Sequence, residues 1–295
     1  MKLTLLGTGT PAPSLTRQSS GYLLEIGDDV IVLDHGPGAA HRLLEAGRRP
    51  TDVTHVFLTH LHYDHVADFA RLALQHWDHG AASVPELEVF GPAPVAAFVD
   101  QLLGERGAYA PDLLARTEGP SSQAVYLSRG GKLPRRRPMP RVRELQAGDV
   151  VEGTTWRAIA GEALHFQPYL QCLGYRFECE AGTIVYSGDS GGVLDSMIEL
   201  ARGCDVLIHM CHFETGTEPS AAFRERNGNH MDVAEIARRA GARTLVLTHF
   251  PPPMDAPGLL ERLVGEMRRV YDGNIVIGRD LLQVPIRIGA NTTFD

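Results

Sequence analysis

The stretch THLHYDH, Thr59 to His65, constrains this chain more than any other. It places His60, His62, Asp64 and His65 within six positions, at the end of the apolar run VTHVFLT. That run reads as a strand. In an extended segment, side chains two apart share a face, so His60 and His62 point the same way. A helix starting near Asp64 spreads Asp64 and His65 by about 100° around its axis. One short loop can then aim two ligands at one cation and two at another. Neutral imidazole and carboxylate bind zinc, and they suit manganese and iron as well. The competing reading is a solvated, His-rich loop; the strand-loop-helix setting decides against it.

The rest of the chain supplies the frame. KLTLLG reads as a first strand, and SGYLLEIGDDVIVLDHG as two strands joined at Gly27-Asp28-Asp29. AAHRLLEAG reads as a helix ending at Gly47. HVADFARLALQHW and PVAAFVDQLLG are helical around a strand ELEVFGP. After residue 140, the strands TTWRAIA, LGYRFEC and GTIVYSGD come first. The helices VLDSMIELARG, MDVAEIARRAG and GLLERLVGEMRRV then alternate with the strands DVLIHMC, RTLVLTH and NIVIG. Each half opens with β-rich segments and closes with alternating strand and helix. Two such halves suggest two sheets face to face with helices outside, within one domain spanning 1–295. Residues 105–140 break the rhythm. EGPSSQ and SRGGKLPRRRPMPR carry no apolar periodicity, and this stretch reads as an insertion or lid, or as a subunit contact in a homodimer.

The totals exclude several classes. At 295 residues and 43% hydrophobic, the chain can bury a core without staples. A net charge of −8 lowers the expectation of a nucleic-acid partner. The four cysteines form no CxxC pair and read as buried free thiols. The opening MKLTLLGTGT is too short an apolar run for a signal peptide, and no run reaches membrane-spanning length. A cytoplasmic protein with no membrane partner is the expectation.

HLHYDH resembles the signature of the metallo-β-lactamase superfamily. LGTGTPAPS resembles the opening strand and loop of its ribonuclease Z-like branch, which also includes arylsulfatases and small phosphodiesterases. LDHGPGAAHRLLEAG resembles that branch's Asp-x-Gly turn and following helix. The resemblance implies a four-layer αββα sandwich, an α/β fold with the site at one edge between the sheets. It also implies three further ligands. His165, before GYRFE, is similar to the third histidine. Asp189 in IVYSGDS is similar to the bridging aspartate. His249, closing TLVLTHF, is similar to the last histidine. On the resemblance, His60, His62 and His165 hold a first metal, Asp64, His65 and His249 a second, and Asp189 bridges. The implied cofactor is two Zn2+, with Mn2+ or Fe2+ as alternatives. A pair of cations sharing a water lowers its pKa toward neutrality and supplies a nucleophile.

Catalysis also needs a proton donor. Asp64 is expected to assist the bridging hydroxide through its free oxygen, and His230 in GNHMDVAEIARRAG to act as general acid. His209 and His212 in LIHMCHFE are the other histidines within the family's flanking stretches, where Met210 stands in place of a glutamate. Ribonuclease Z carries a basic tRNA-binding arm between the third-His strand and the Gly-Asp turn, and here GYRFECEAGTIVYSGD leaves no room for one. The expectation is a hydrolase of a small, anionic ester: a phosphodiester, sulfate ester, lactone or carboxylic ester. A ribonuclease Z-type RNA phosphodiesterase and an iron-dependent oxidoreductase of the same fold are the alternatives. A non-catalytic binding module is hard to square with a full ligand set.

Overall fold

A computed structural model describes residues 1–81 and 83–286. The chain opens with the antiparallel strands β1 (Lys2–Gly7), β2 (Gly21–Ile26) and β3 (Asp29–His35). Helix α1 (Ala39–Glu45) leads to β4 (His55–Phe57), which lies parallel to β3. The short α2 (Tyr63–Val66) and then α3 (Phe69–Gly80) return the chain to β5 (Glu88–Pro92). Helices α4 (Val95–Leu103), α5 (Ala110–Glu118) and α6 (Pro120–Ser128) precede β6 (Arg141–Leu145), again parallel to β5.

The second half begins with the antiparallel β7 (Val150–Glu152), β8 (Trp156–Glu162), β9 (Leu173–Cys179) and β10 (Gly182–Tyr186). Helix α7 (Asp195–Leu200), β11 (Val206–Met210), α8 (Ala221–Arg226), α9 (His230–Ala240), β12 (Thr244–Thr248), α10 (Leu259–Met267) and β13 (Asn274–Ile277) follow. The two-residue β14 (Gln283–Val284) crosses back to pair with β1. The strand orders are β14-β1-β2-β3-β4-β5-β6 and β13-β12-β11-β10-β9-β8-β7.

Alternation along the strands sorts the core into three layers. In β3, Ile31 and Leu33 enter a core shared by the two sheets, while Val30 and Val32 pack outward with Leu43 of α1 and Phe69 of α3. In β12, Val246 faces the shared core, while Leu245 and Leu247 pack against Val233 and Ile236 of α9. The result is helix, sheet, sheet, helix. Aromatic rings fill the centre, with Phe57 of one sheet edge-on to Tyr175 and Phe177 of the other.

The expectation for residues 105–140 needs correction on two points. The segment contains two helices rather than irregular chain. They were hidden because each buries few residues, Leu113 and Thr117 in α5 and Tyr126 in α6. Its position also does not suit a lid. Arg135 is buried against Asp78 at 2.6 Å and lies over the rings of Trp77 and Tyr126. Trp77 and Asp78 end α3, next to His76, which bonds the backbone of Val53 just before β4 begins. The insert therefore packs at the end where β4 starts, while His60 follows the end where β4 stops.

Candidate metal centre

Three parallel strands of the second sheet end at one edge, and so do β3 and β4 of the first. β4 delivers Thr59 and His60, β8 leads to His165, β10 to Asp189 and β12 to His249. The two sheets touch there. The Leu173 N–H donates to the Thr59 carbonyl at 2.9 Å. Gly188, in the left-handed region at φ 56°, leaves no room for a side chain: a Cβ would stand 2.8 Å from Cβ of Thr59.

The sequence nominated seven ligands, and the fold brings all seven together. They form two sets, His60, His62, His165 and Asp189, and Asp64, His65 and His249, with the ligand atoms of each set within 4.8 Å of one another. Asp189 sits at the centre. Its Oδ2 is 3.3 Å from His249 Nε2, 3.5 Å from both His65 Nε2 and His165 Nε2, and 4.0 Å from His60 Nε2. Asp64 Oδ2 lies 3.3 Å from His249 Nε2 and 3.4 Å from His65 Nε2. His60 Nε2 and His62 Nδ1 are 3.0 Å apart.

These spacings fit divalent cations. Two nitrogens held by one zinc at about 2.0–2.1 Å in a tetrahedron stand roughly 3.3 Å from each other. The carboxylate-imidazole distances match that edge and are long for hydrogen bonds. Two buried atoms of the cluster, Asp64 Oδ1 and His65 Nε2, have no hydrogen-bond partner. Buried polar atoms are rarely left so without a reason.

The ring orientations are fixed from behind. His65 Nδ1 meets Asp34 Oδ2 at 2.7 Å, His165 Nδ1 meets the Arg226 carbonyl at 2.7 Å, and His60 Nδ1 meets Thr59 Oγ1 at 3.0 Å. A proton held on Nδ1 leaves the Nε2 lone pair for a cation. His249 Nδ1 faces His212 Nδ1 at 3.2 Å. If His249 binds through Nε2, its Nδ1 carries the hydrogen, and His212 must accept it and keep its own proton on Nε2.

Charge reinforces the arrangement. Burial works to raise the Asp189 pKa, but His249 and His65 outweigh it and hold the carboxyl well below its usual range. Burial opposes Asp64 ionisation too, and the contacts of His249 and His65 again prevail. Burial pushes His60 and His165 below the ordinary imidazole value, which keeps them neutral and ligand-ready near pH 7. His65 goes the other way. Burial lowers its pKa, but Asp189 and Asp34 raise it further, so a proton competes with a cation at this ring.

Sequence reasoning missed the supports. Asp34 is fully buried and accepts four hydrogen bonds, from the Thr59 N–H at 2.7 Å, Thr59 Oγ1 at 2.8 Å, Tyr186 Oη at 2.8 Å and His65 at 2.7 Å. Two more buried tyrosines do similar work: Tyr175 Oη donates to the Leu58 carbonyl at 2.8 Å, and Tyr22 Oη pairs with Thr248 Oγ1 at 2.7 Å. All three rise from the inter-sheet core to the strand ends that carry ligands. Asp34 (φ 52°) and His249 (φ 59°) both hold left-handed backbone. For residues other than glycine that conformation costs on the order of 1–3 kcal/mol, and such strain concentrates at functional sites. The Asp-x-Gly turn was the one available signal for Asp34.

The structure does not bring the expected general acid into the cluster. His230 opens α9 and is buried, but it does not join the cluster. Its Nδ1 accepts the Thr215 N–H at 3.1 Å, and its Nε2 meets Glu266 at 3.0 Å. Both nitrogens are occupied on the far side. His209 points its Nδ1 at the Met210 carbonyl at 3.0 Å, and burial lowers its pKa to about 4. His212 is the histidine beside the ligands. Burial and then His249 lower its pKa to about 4. Met210, where a glutamate was missing, turns its sulfur toward the Ser190 N–H at 3.0 Å, next to Asp189.

An αββα sandwich with two His/Asp ligand sets at one edge is the architecture of a metal-binding superfamily. The chain belongs to the metallo-beta-lactamase superfamily, whose family profile matches residues 15–249. It is 29% identical to a ribonuclease Z of Mycobacterium sp. (strain KMS), over 98% of this chain and 97% of the relative. The fold matches the metallo-beta-lactamase fold protein YhfI from Bacillus subtilis with a TM-score of 0.71 at 21% identity, covering 96% of this chain and 98% of that one. It also matches the short form of human tRNase Z with a TM-score of 0.69 at 20% identity, covering 98% of this chain and 100% of that one. No helix among the described residues is long and apolar enough to cross a membrane.

Proposed function

We propose that this protein is a dinuclear metal hydrolase of small-molecule esters, with phosphodiesters first among the substrates. The observation that carries the reading is Asp189, whose single carboxylate oxygen lies within 4.0 Å of four imidazole nitrogens from both ligand sets. His60, His62 and His165 would hold one cation and Asp64, His65 and His249 the other, with Asp189 within reach of both. Zinc suits the imidazole-rich donors, and manganese and iron are compatible. A bound pair supplies an activated water and neutralises charge on the attacked group. The unpartnered Asp64 Oδ1 is placed to orient the attacking water. His212, neutral near pH 7 and carrying its proton on Nε2, would donate a hydrogen bond to the leaving-group oxygen rather than give up the proton.

Small substrates are favoured by the hairpin joining β9 and β10, where Glu180 and Ala181 alone connect the strands. A tRNA-holding arm has no place there. The second reading, an RNA phosphodiesterase, rests on the 29% identity to the mycobacterial ribonuclease Z over 98% of the chain. A panel decides between them: bis-aryl phosphate, aryl sulfate, lactone and a tRNA precursor, each offered to metal-replete protein. Turnover of the bis-aryl phosphate without cleavage of the precursor supports the small-substrate reading. The reverse pattern contradicts it.

A further inference from the structure

A second cavity lies at the opposite end of the sandwich. Strands β4, β5 and β6 run parallel, with His55, Glu88 and Arg141 in register at their starts. Beneath those starts, between the last turn of α3 and the 130–137 loop, is a cavity of about 450 Å³. That volume is within the range of roughly 300–1,000 Å³ typical of small-ligand sites. The metal cluster lies where β4 ends, so the two sites open at opposite edges.

Its walls are basic. Lys132, Arg136 and Arg137 line it, against one carboxylate, Glu86. Glu86 is engaged by the Met139 N–H at 3.1 Å. Among the described residues, Arg137 donates only to neutral carbonyls, those of Ala110 at 3.1 Å and Gly104 at 3.4 Å. Among the described residues, Lys132 and the Arg136 guanidinium have no ion-pair partner. Three cations against one carboxylate leave the hollow with a net positive charge, unexpected in a chain of net charge −8. Nor is the loop an adaptable charge run. Arg135, 6% exposed, is pinned by Asp78, Trp77 and Tyr126, and the Trp77 indole N–H donates to the Arg136 carbonyl at 2.8 Å. That anchoring fixes where Arg136 and Arg137 emerge. The remaining wall includes Trp77, half-buried with one face under Arg135, which leaves apolar ring surface for a flat body.

We propose that this cavity binds a small phosphate-bearing anion, with the phosphate held by Lys132, Arg136 and Arg137 and an attached ring lying along Trp77. Guanidinium groups match phosphate oxygens in geometry as well as charge. The site stands apart from the metal centre and does not rest on the hydrolase reading.

The test uses the full chain loaded with metal. The chain has two tryptophans, Trp77 at the cavity and Trp156 in the inter-sheet core, so emission localises binding. Adenosine monophosphate, inorganic phosphate and tRNA are titrated by calorimetry and by fluorescence. Saturable binding of the nucleotide with a change in emission is expected. The emission change disappears in Trp77→Phe while calorimetric binding persists. Lys132→Ala and Arg136→Ala, both at exposed positions, each raise Kd by about tenfold or more, and Asp189→Ala leaves it unchanged. Inorganic phosphate binding as tightly as the nucleotide keeps the phosphate site and removes the ring from recognition. The proposal is overturned by the absence of saturable binding of either small probe, by binding that survives both alanine variants, by binding lost in Asp189→Ala, or by binding of tRNA alone.

Discussion

Asp34 Oδ2 stands 2.7 Å from His65 Nδ1, and both side chains are wholly buried. The carboxylate settles which nitrogen of His65 faces the cluster. It also ties Thr59 and Tyr186 to the same point. Asp34→Ala is expected to weaken metal binding at the Asp64/His65/His249 set by about 10–100-fold, the usual cost of removing a carboxylate behind a metal-ligating histidine. Competition titration against a metal-sensitive dye measures this. Unchanged affinity at both sets would show that His65 needs no such support.

Asp189 shares one oxygen between the two ligand sets. Asp189→Ala is therefore expected to remove one or both metals and abolish turnover. Elemental analysis of the purified variant, with a rate assay on the same sample, tests it. A fully metallated, fully active variant contradicts the bridging role.

His212 and His230 make opposite predictions. His212→Ala should lower kcat by up to about 10²–10³-fold for poor leaving groups and far less for good ones, the pattern of a lost hydrogen-bond donor to the leaving-group oxygen. His230→Ala should act equally across leaving groups, through the anchoring of α9 to Thr215 and Glu266. Rates for a series of aryl phosphodiesters of graded leaving-group pKa separate the two. A steep series for His230→Ala and a flat one for His212→Ala would reverse the assignment.

The cysteines test the core. Burial pushes the thiols of Cys204 and Cys211 up to about 12, and that of Cys172 up to about 11. Only the thiolate reacts, so at pH 8 on the order of one Cys211 in ten thousand is competent even before burial limits access. Alkylation of folded protein at pH 8 should modify Cys179, the half-buried one, and spare the others. Rapid labelling of Cys204 or Cys211 would show that the helical layer over the second sheet opens readily.

Much of this architecture was legible in the sequence for a physical reason. His60 to His65 lie within one strand-loop-helix unit, where spacing alone dictates direction. The near-continuous apolar runs in TLVLT and DVIVLD likewise report two buried faces. What was illegible depends on tertiary position. Asp34 matters because β3 ends beside β4, a relationship absent from the local pattern. His230 resembles an active-site histidine in context, yet its ring is turned by Thr215 and Glu266 from other segments. Strands β6 and β14 are edge strands with few buried residues, so their patterning is weak. Helices α5 and α6 bury one apolar residue each, Leu113 and Tyr126, too few to write a helical period.

The most direct measurement counts ions and turnover together. Metal-free protein is titrated with zinc or manganese while bound metal per chain and hydrolysis of a bis-aryl phosphate are followed on the same samples. Two ions per chain are expected, with hydrolysis rising as the second set fills and lost on chelation. Full occupancy of both sets without hydrolysis of any ester, or hydrolysis that persists in the metal-free protein, would contradict the account.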